Sequence, residues 1–480
     1  MGLMPPLGEQ YLVLNDFSGG LNLKDAPDYL QPNQATECRN FVFDRTGAPM
    51  VRAGYALYGD TGTNAPIRGM HRFYGPYGPQ LLVASGGKLW LGNDVTGEFT
   101  EVADGLQDLP MGAVTWGWKG ICFLGNGADP ILVWDGSQIR ALTGAPKGRF
   151  LVVHGNRLFV AGGQDSPTTL YWSDLGDFET WPATNYAEAD EPITGLVADY
   201  GRLFIFTPSK VQVLYGDGGV TTTLGIQTLL DGVGCVAPGT IVQWEGKTIF
   251  LAHDGVRIFD GAASVLVSRN IEPVIRDQRP TQRRDAVAAV YKGRYWLRWC
   301  DQTDKCIIYV YDLAGGWWTE FRGMSVAALL SLSGVEEQDG LLSGDWQGRV
   351  YRQDTGDTDD GKPIIALWRS RVFTPRPGWV WQYRRLQVQL QHMQGPVWVS
   401  WFTLGGARSG TLQIDPAPDG AVWGRAVWGR AVWTPNRPRF VSEPLPPSAV
   451  GPDLQLVIRQ QGRGLWRGLV LQLWPKRRAR

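Results

Sequence analysis

A short hairpin pattern recurs seven times along this chain and limits its possible folds more than any other feature. The segments are LLVASGGKLWLG from Leu81, ICFLGNGADPILVWDG from Ile121, RLFVAGGQDSPTTLYWSD from Arg157 and RLFIFTPSKVQVLYGDG from Arg202. They continue with TIFLAHDGVRIFDG from Thr248, RYWLRWCDQTDKCIIYVYDL from Arg294 and GLLSGDWQGRVYRQD from Gly340. Each is a β-branched or aromatic run, a polar or glycine turn, and a second such run. Successive starts are 40, 36, 45, 46, 46 and 46 residues apart. A lone hairpin cannot bury its apolar face, so the recurrence implies a larger repeated unit.

Further strand candidates lie between the hairpins, among them GTIVQWEG (239–246), ASVLVS (263–268), DAVAAVYKG (285–293) and GGWWTEF (315–321). They raise each unit to about four strands, the content of a β-propeller blade. The fold class expected is therefore all-β: a β-propeller of seven blades over roughly 64–360, with six as the alternative because the first and last hairpins are least regular. A sandwich or solenoid is the competing arrangement. The Gly-His and Trp-Asp marks of WD40 repeats do not recur from unit to unit. The 62 Gly and 31 Pro fit frequent turns, and the 22 Trp fit half-buried strands.

The flanks read differently. In residues 1–60, QPNQA (31–35) predicts a short helix start with proline in its first turn. FVFDRTGAPMVRAGY (41–55) predicts a hairpin turning near Thr46-Gly47. After Pro363, IIALWRSRVF, YRRLQVQLQ, GPVWVSWFTLGG, DLQLVIRQ and LWRGLVLQLW alternate as strands of a β-sandwich. This region holds 17 Lys plus Arg against 4 Asp plus Glu, in a chain with 46 of each sign. The preceding residues are correspondingly acidic, which places a boundary near DTGDTDDGKP (354–363). The expected organisation is an N-terminal segment (1–60) packing on the platform, a propeller (61–362) and a sandwich platform (363–480). The repeat AVWGRAVWGRAVW (421–433) has a period of five, which flips Trp423 and Trp428 to opposite faces of a strand; a loop or locally duplicated hairpin is the simpler reading.

Candidate chemistry is sparse. His253-Asp254 suggests a catalytic pair, but adjacent residues on an extended chain face opposite ways. Asp254-Gly255 between two apolar runs instead predicts a turn. Gly86, Gly163 and Gly348 are expected in equivalent turns, and so do not form a phosphate-cradling loop. His71, His154 and His392 have no metal-ligand spacing. SDLGDFETW (173–181) misses the Asp-box spacing Ser-x-Asp-x-Gly-x-x-Trp, and Trp181 is expected to pack between blades. The five cysteines form no Cys-x-x-Cys; Cys300 and Cys306 flank a turn, and reduced strand thiols are expected there, with a bond across the hairpin as the alternative. No catalytic, metal or cofactor site is therefore predicted, and no enzyme activity. The opening MGLMPPLGEQ does not read as a signal peptide or a myristoylation motif, and no run is long enough to span a membrane. The basic C-terminal region, ending WPKRRAR, suits protein interfaces or nucleic acid. Arg369, Arg371, Arg384 and Arg385 are its candidate contacts.

Several longer strings carry a resemblance. FSGGLNLKDAPDYLQPNQATECRNFVFDRTGAPMVRAGY, YWSDLGDFETWPATNYAE with ITGLVADYGRLFIFTPSKVQVLYG, LLDGVGCVAPGTIVQWEGKTIFLAHDGVRIFDG and LLSGDWQGRVYRQDTGDTDDGKPIIALW resemble the tail hub or nozzle proteins of short-tailed double-stranded DNA bacteriophages. These are also called packaged-DNA stabilisation proteins. The resemblance implies a propeller joined to a platform, assembled as a homohexameric ring in the virion tail after synthesis in the host cytoplasm. A portal-adaptor ring would lie above it, and fibres, spikes or a needle below. Packaged DNA would pass through the lumen without sequence-specific binding. Two other classes remain as alternatives: a carbohydrate-binding or glycan-cleaving propeller, and another connector or DNA-binding structural module.

Overall fold

The computed structural model describes residues 9–199, 201–216, 224–277, 283–300, 306–332, 340–391, 393, 395–415, 439–462 and 464–478. Almost every regular element is a β-strand; a short α-helix spans Glu272–Arg276. The chain divides into two compact units. One comprises Ala56–Ile307 and Ser325–Gln353; the other comprises Met1–Tyr55, Ile308–Met324 and Asp354–Arg480. A linear division at 61 and 363 is thus replaced by an interleaved one, because strand partners in the second unit come from three separate stretches.

The first unit is a β-propeller with six complete four-stranded blades. The first five are successive meanders. Their innermost strands are Ile67–Gly75, Gly112–Trp116, Phe150–His154, Gly195–Asp199 and Val242–Trp244. The sixth complete blade combines Ala328–Leu332, Gly340–Gly344 and Arg349–Gln353 with Tyr55–Asp60 from far upstream. That upstream strand closes the ring, and Thr61 follows it by donating its N–H to Gly348 O at 3.0 Å. Six is the alternative count from the sequence. The remaining hairpin of the series contributes Val287–Tyr291 and Arg294–Cys300 to this unit. Its inner strand Val287–Tyr291 packs between the inner strands of the fifth and sixth blades. The inner strands form a closed circle in which Gln243 Nε2 donates to Ala198 O at 3.0 Å.

Blade packing explains the sequence of the runs. In Phe150–His154, Leu151 and Val153 enter the core shared by blades two and three, while Phe150 and Val152 enter the core shared by blades three and four. Period-two alternation therefore serves two apolar faces rather than one apolar and one wet face. The second strand, Arg157–Ala161, is buried along its whole length. Burial of such runs, at about 25 cal/mol per Å² of apolar surface, is the main stabilising term.

The second unit has two sheets. One runs in the order Phe41–Phe43, Pro49–Val51, Leu465–Arg478, Trp379–Gln391, Arg439–Pro444, with Gln10–Leu14 beside Leu465–Arg478. The other contains Trp318–Phe321, Gln34–Arg39, Ile365–Ser370, Gln455–Gln461, Val397–Thr403 and Arg408–Ile414. Phe17 joins them, its ring centroid lying 5.1 Å from that of Trp368 and 6.4 Å from that of Trp466. Trp466 donates Nε1–H to Gln460 Oε1 at 2.7 Å, which satisfies its one polar group in this core.

Four local expectations are corrected or located here. The helix expected at 31–35 is a turn followed by the strand Gln34–Arg39. Gln34 N bonds Gln31 O across the turn, and Ala35 then pairs with Ser370 in the sheet. Cross-sheet partners override the local helix signal. Cys300 and Cys306 form a disulfide rather than two reduced thiols, because the hairpin brings their Cα atoms to 3.9 Å. The hairpin expected from Phe41 forms, with Gly47 at φ +78°. The repeat AVWGRAVWGRAVW lies outside the described residues.

Candidate functional site

His253 and Asp254 are the two turn residues between Lys247–Ala252 and Gly255–Phe259, with Ala252 paired to Gly255. The left-handed backbone belongs to Gly255, at φ +144°; Asp254 does not share it. Asp254 instead forms a two-point ion pair with Arg257, Nε to Oδ1 3.0 Å and Nη2 to Oδ2 2.7 Å. Those bonds hold the Asp254 carboxyl below its ordinary pKa. His253 contributes its carbonyl, which accepts from Arg283 Nη1 at 2.8 Å. The pair is structural, and the turn sits one residue earlier than Asp254-Gly255 suggests.

The other candidates are likewise placed by packing. Gly86 has φ +62° and Gly348 φ +89°, as turns require. At the third site the positive φ belongs to Gly162 (+72°), while at Gly163 a Cβ would press on Lys147 O. In SDLGDFETW, Asp177 Oδ2 accepts from Thr180 Oγ1 at 2.7 Å and Trp181 packs against the core of blades two and three. His71 Nε2 lies 2.7 Å from Thr115 Oγ1, tying inner strands one and two together. Burial lowers its pKa to about 4, so the imidazole is neutral at pH 7. His154 is also held below its ordinary value by burial, and His392 lies outside the described residues. Burial pushes the thiols of Cys38, Cys122 and Cys235 up to about 12, which makes them poor nucleophiles. No group of three or more potential metal ligands occurs among the described residues.

Two places have the character of sites. The first is the mouth of the ring at the N-terminal ends of the inner strands. The seven inner strands carry mostly aliphatic residues, and Asp199 is their one carboxylate. A paired-carboxylate centre would thus have to come from loops. At this end, Arg149 precedes the third inner strand and the exposed Asp285 precedes Val287–Tyr291. Arg298, 4% exposed, lies beside Asp285, donating Nη2 to its carbonyl and Nη1 to Cys300 Sγ at 3.2 Å. Arg298 also stacks on Trp346, Cζ to ring centroid 5.4 Å, and Trp346 remains 40% exposed.

The second place is the outer face of the sheet built on Trp379–Gln391. Tyr11, Val13, Phe440 and Trp474 stand exposed on its strands. The ladder shifts register between Tyr383 and Arg385, leaving Arg384 as the bulged residue. Arg384 stacks on Trp474 at 4.8 Å, and Arg385 Nη1 donates to Ser442 Oγ at 3.2 Å. Both side chains are exposed. Arg369 and Arg371 are instead used inside the unit. Arg369 Nε donates to Glu37 Oε2 at 3.2 Å, and Arg371 donates to the carbonyls of Leu30 and Asp28. Arg369 also lines a cavity of about 190 Å³ with Phe402, Gly405, Gly406 and Asp453. The four arginines grouped by sequence therefore separate into two internal ties and two surface residues.

No protein-family model and no curated protein matches this chain.

Proposed function

We propose that the chain is a structural, non-enzymatic subunit of a virion tail, assembling with copies of itself into a ring through which packaged double-stranded DNA is retained and released. The sequence resemblance to tail hub proteins supplies the virus and the sixfold number. The observation that carries a subunit-interface role is the outer sheet face described above. Exposed aromatic and aliphatic side chains beside the exposed Arg384 and Arg385 form a surface suited to protein contact. A cyclic ring needs two different complementary patches on each subunit. The acidic balance of the residues before 363 provides a partner charge for Arg384 and Arg385. On this reading acidic propeller surfaces rim the DNA channel, where cationic contacts would slow translocation.

Charge reversal tests this. The double variant Arg384→Glu/Arg385→Glu is expected to lose higher-order assembly while its weak affinity for duplex DNA changes little. Normal assembly together with lost DNA binding would contradict the interface role and favour a DNA-binding module. The comparison needs the full chain, because a 363–480 fragment would lack Gln10–Leu14 and Gln34–Arg39, two strands of its own sheets.

A further inference from the structure

One buried cation of the propeller faces sulfur rather than a carboxylate. Arg298 lies on the strand Arg294–Cys300 and is 4% exposed. Its Nη2 donates to the Asp285 carbonyl, and its guanidinium covers Trp346, Cζ to ring centroid 5.4 Å. Nη1 donates to Cys300 Sγ at 3.2 Å, and Nε is buried with no acceptor. Among the described residues no carboxylate forms an ion pair with it. A buried guanidinium without a counter-ion is costly. Cys300 Sγ is bonded to Cys306 Sγ, which joins the end of Arg294–Cys300 to the start of Cys306–Asp312. When a thiolate opens such a bond, negative charge is left on one of the two sulfurs. On Cys300 that charge arises 3.2 Å from Arg298 Nη1. A thiol beside a cation ionises more readily, and the thiol that ionises more readily is the better leaving group in exchange. Cys300 and Cys306 are both half-buried, whereas Cys38, Cys122 and Cys235 are fully buried.

We propose that Cys300–Cys306 is a site of thiol–disulfide exchange with small thiols, in which Arg298 is the positioning residue that makes Cys300 the leaving group. The incoming thiolate attacks Cys306 Sγ, the bond between the two Sγ atoms breaks, and its electron pair leaves on Cys300 Sγ beside Nη1. The product is a mixed disulfide on Cys306. A second small thiolate attacks the small-molecule sulfur of that mixed disulfide. This releases a symmetrical small disulfide and the Cys306 thiolate, which takes a proton from solvent. Two small thiols are thereby oxidised and the protein disulfide is reduced; the reverse sequence, with the small disulfide as oxidant, closes it again. The bond is open in a reducing compartment and closed in an oxidising one. Both cysteines belong to the propeller unit, so the site stands whether or not subunits form a ring.

The test treats the folded full-length protein with reduced glutathione near neutral pH. Short exposures are quenched in acid, capped with N-ethylmaleimide and mapped by peptide mass spectrometry. Glutathione is expected on Cys306 and maleimide on Cys300, in about tenfold excess over the reverse, with near-UV circular dichroism unchanged. Arg298→Gln should remove that bias and slow reduction, and Arg298→Lys should keep part of it. Two single substitutions repeat the comparison with Arg298 in place, and decide it if Arg298→Gln does not fold. Cys300 in the Cys306→Ser variant should react with iodoacetamide about tenfold faster than Cys306 in the Cys300→Ser variant. Four results would each overturn the proposal: glutathione spread evenly or mainly on Cys300, a bond that resists glutathione until the protein unfolds, an undiminished bias in folded Arg298→Gln, or equal alkylation rates in the two single-serine variants.

Discussion

The two units solve the same problem of burying short strands in opposite ways. In the propeller, strands pair with chain neighbours: Thr248 meets Phe259 and Ala252 meets Gly255 across one turn. In the second unit, Gln10 meets Leu473 and Ala35 meets Ser370. Ion pairs follow the same division. Among the described residues, the propeller's salt bridges, such as Arg72–Asp94 and Arg349–Asp345, join groups no more than 40 residues apart. In the second unit Arg39–Glu320, Arg52–Asp359, Arg369–Glu37 and Arg467–Asp44 span 281, 307, 332 and 423 residues. Repeated local hairpins can each be built before the ring closes. The second unit must gather three remote stretches, and its charged pairs specify which ones meet.

The largest expected effect lies at the best buried of those pairs. Arg52 donates to both oxygens of Asp359 at 2.8 and 2.6 Å, to Asn40 Oδ1 at 3.0 Å and to Arg322 O at 3.0 Å. The two side chains are 2% and 10% exposed. Asp359→Ala leaves a buried guanidinium short of its counter-ion and should cost about 3–5 kcal/mol in chemical denaturation. A loss under 1 kcal/mol would break the idea that long-range ion pairs hold this unit.

His71 sets the pH response of the propeller. Its folded pKa, about 4, lies below the ordinary value of 6.5. Between these values the unfolded chain binds the proton and the folded chain does not. Stability is therefore full above about pH 6.5 and falls as pH drops toward 4, by on the order of 2 kcal/mol. Urea midpoints at pH 7 and pH 4.5 should differ in the wild type and differ less in His71→Asn.

Smaller effects separate the parts of the FLAHDGVRIFDG hairpin. Gly255→Ala places a Cβ against Ser268 Oγ and Leu266 Cδ1 in a backbone with φ +144°; about 1–3 kcal/mol should be lost. His253→Ala, which retains the carbonyl that Arg283 uses, should change stability by less than about 0.5 kcal/mol. Thermal unfolding of the two variants side by side checks the ranking.

The same division explains what could be read from the chain. Hairpin spacing and run composition carry the propeller, because the partners of each strand lie within the reading window. They do not reveal that Tyr55–Asp60 completes the last blade, since that pairing crosses nearly 300 residues of chain. QPNQA has a local helix signal, yet its fate is decided by Ile365–Ser370. The turn between Cys300 and Cys306 is legible in the sequence, but only the 3.9 Å between their Cα atoms decides that they are bonded rather than reduced. The basic count identified Arg384 and Arg385 together with Arg369 and Arg371, but only three-dimensional partners distinguish surface from tie.

The central claim is that the outer sheet face of the second unit joins copies of this chain into a ring. Native mass measurement of the purified full-length protein, with negative-stain imaging of the same sample, tests it most directly. The account predicts a closed ring, six subunits by the family resemblance, with a central hole wide enough for duplex DNA, about 20 Å or more across. A protein that remains a 53.1 kDa monomer at micromolar concentration, with that face uncovered, would contradict it.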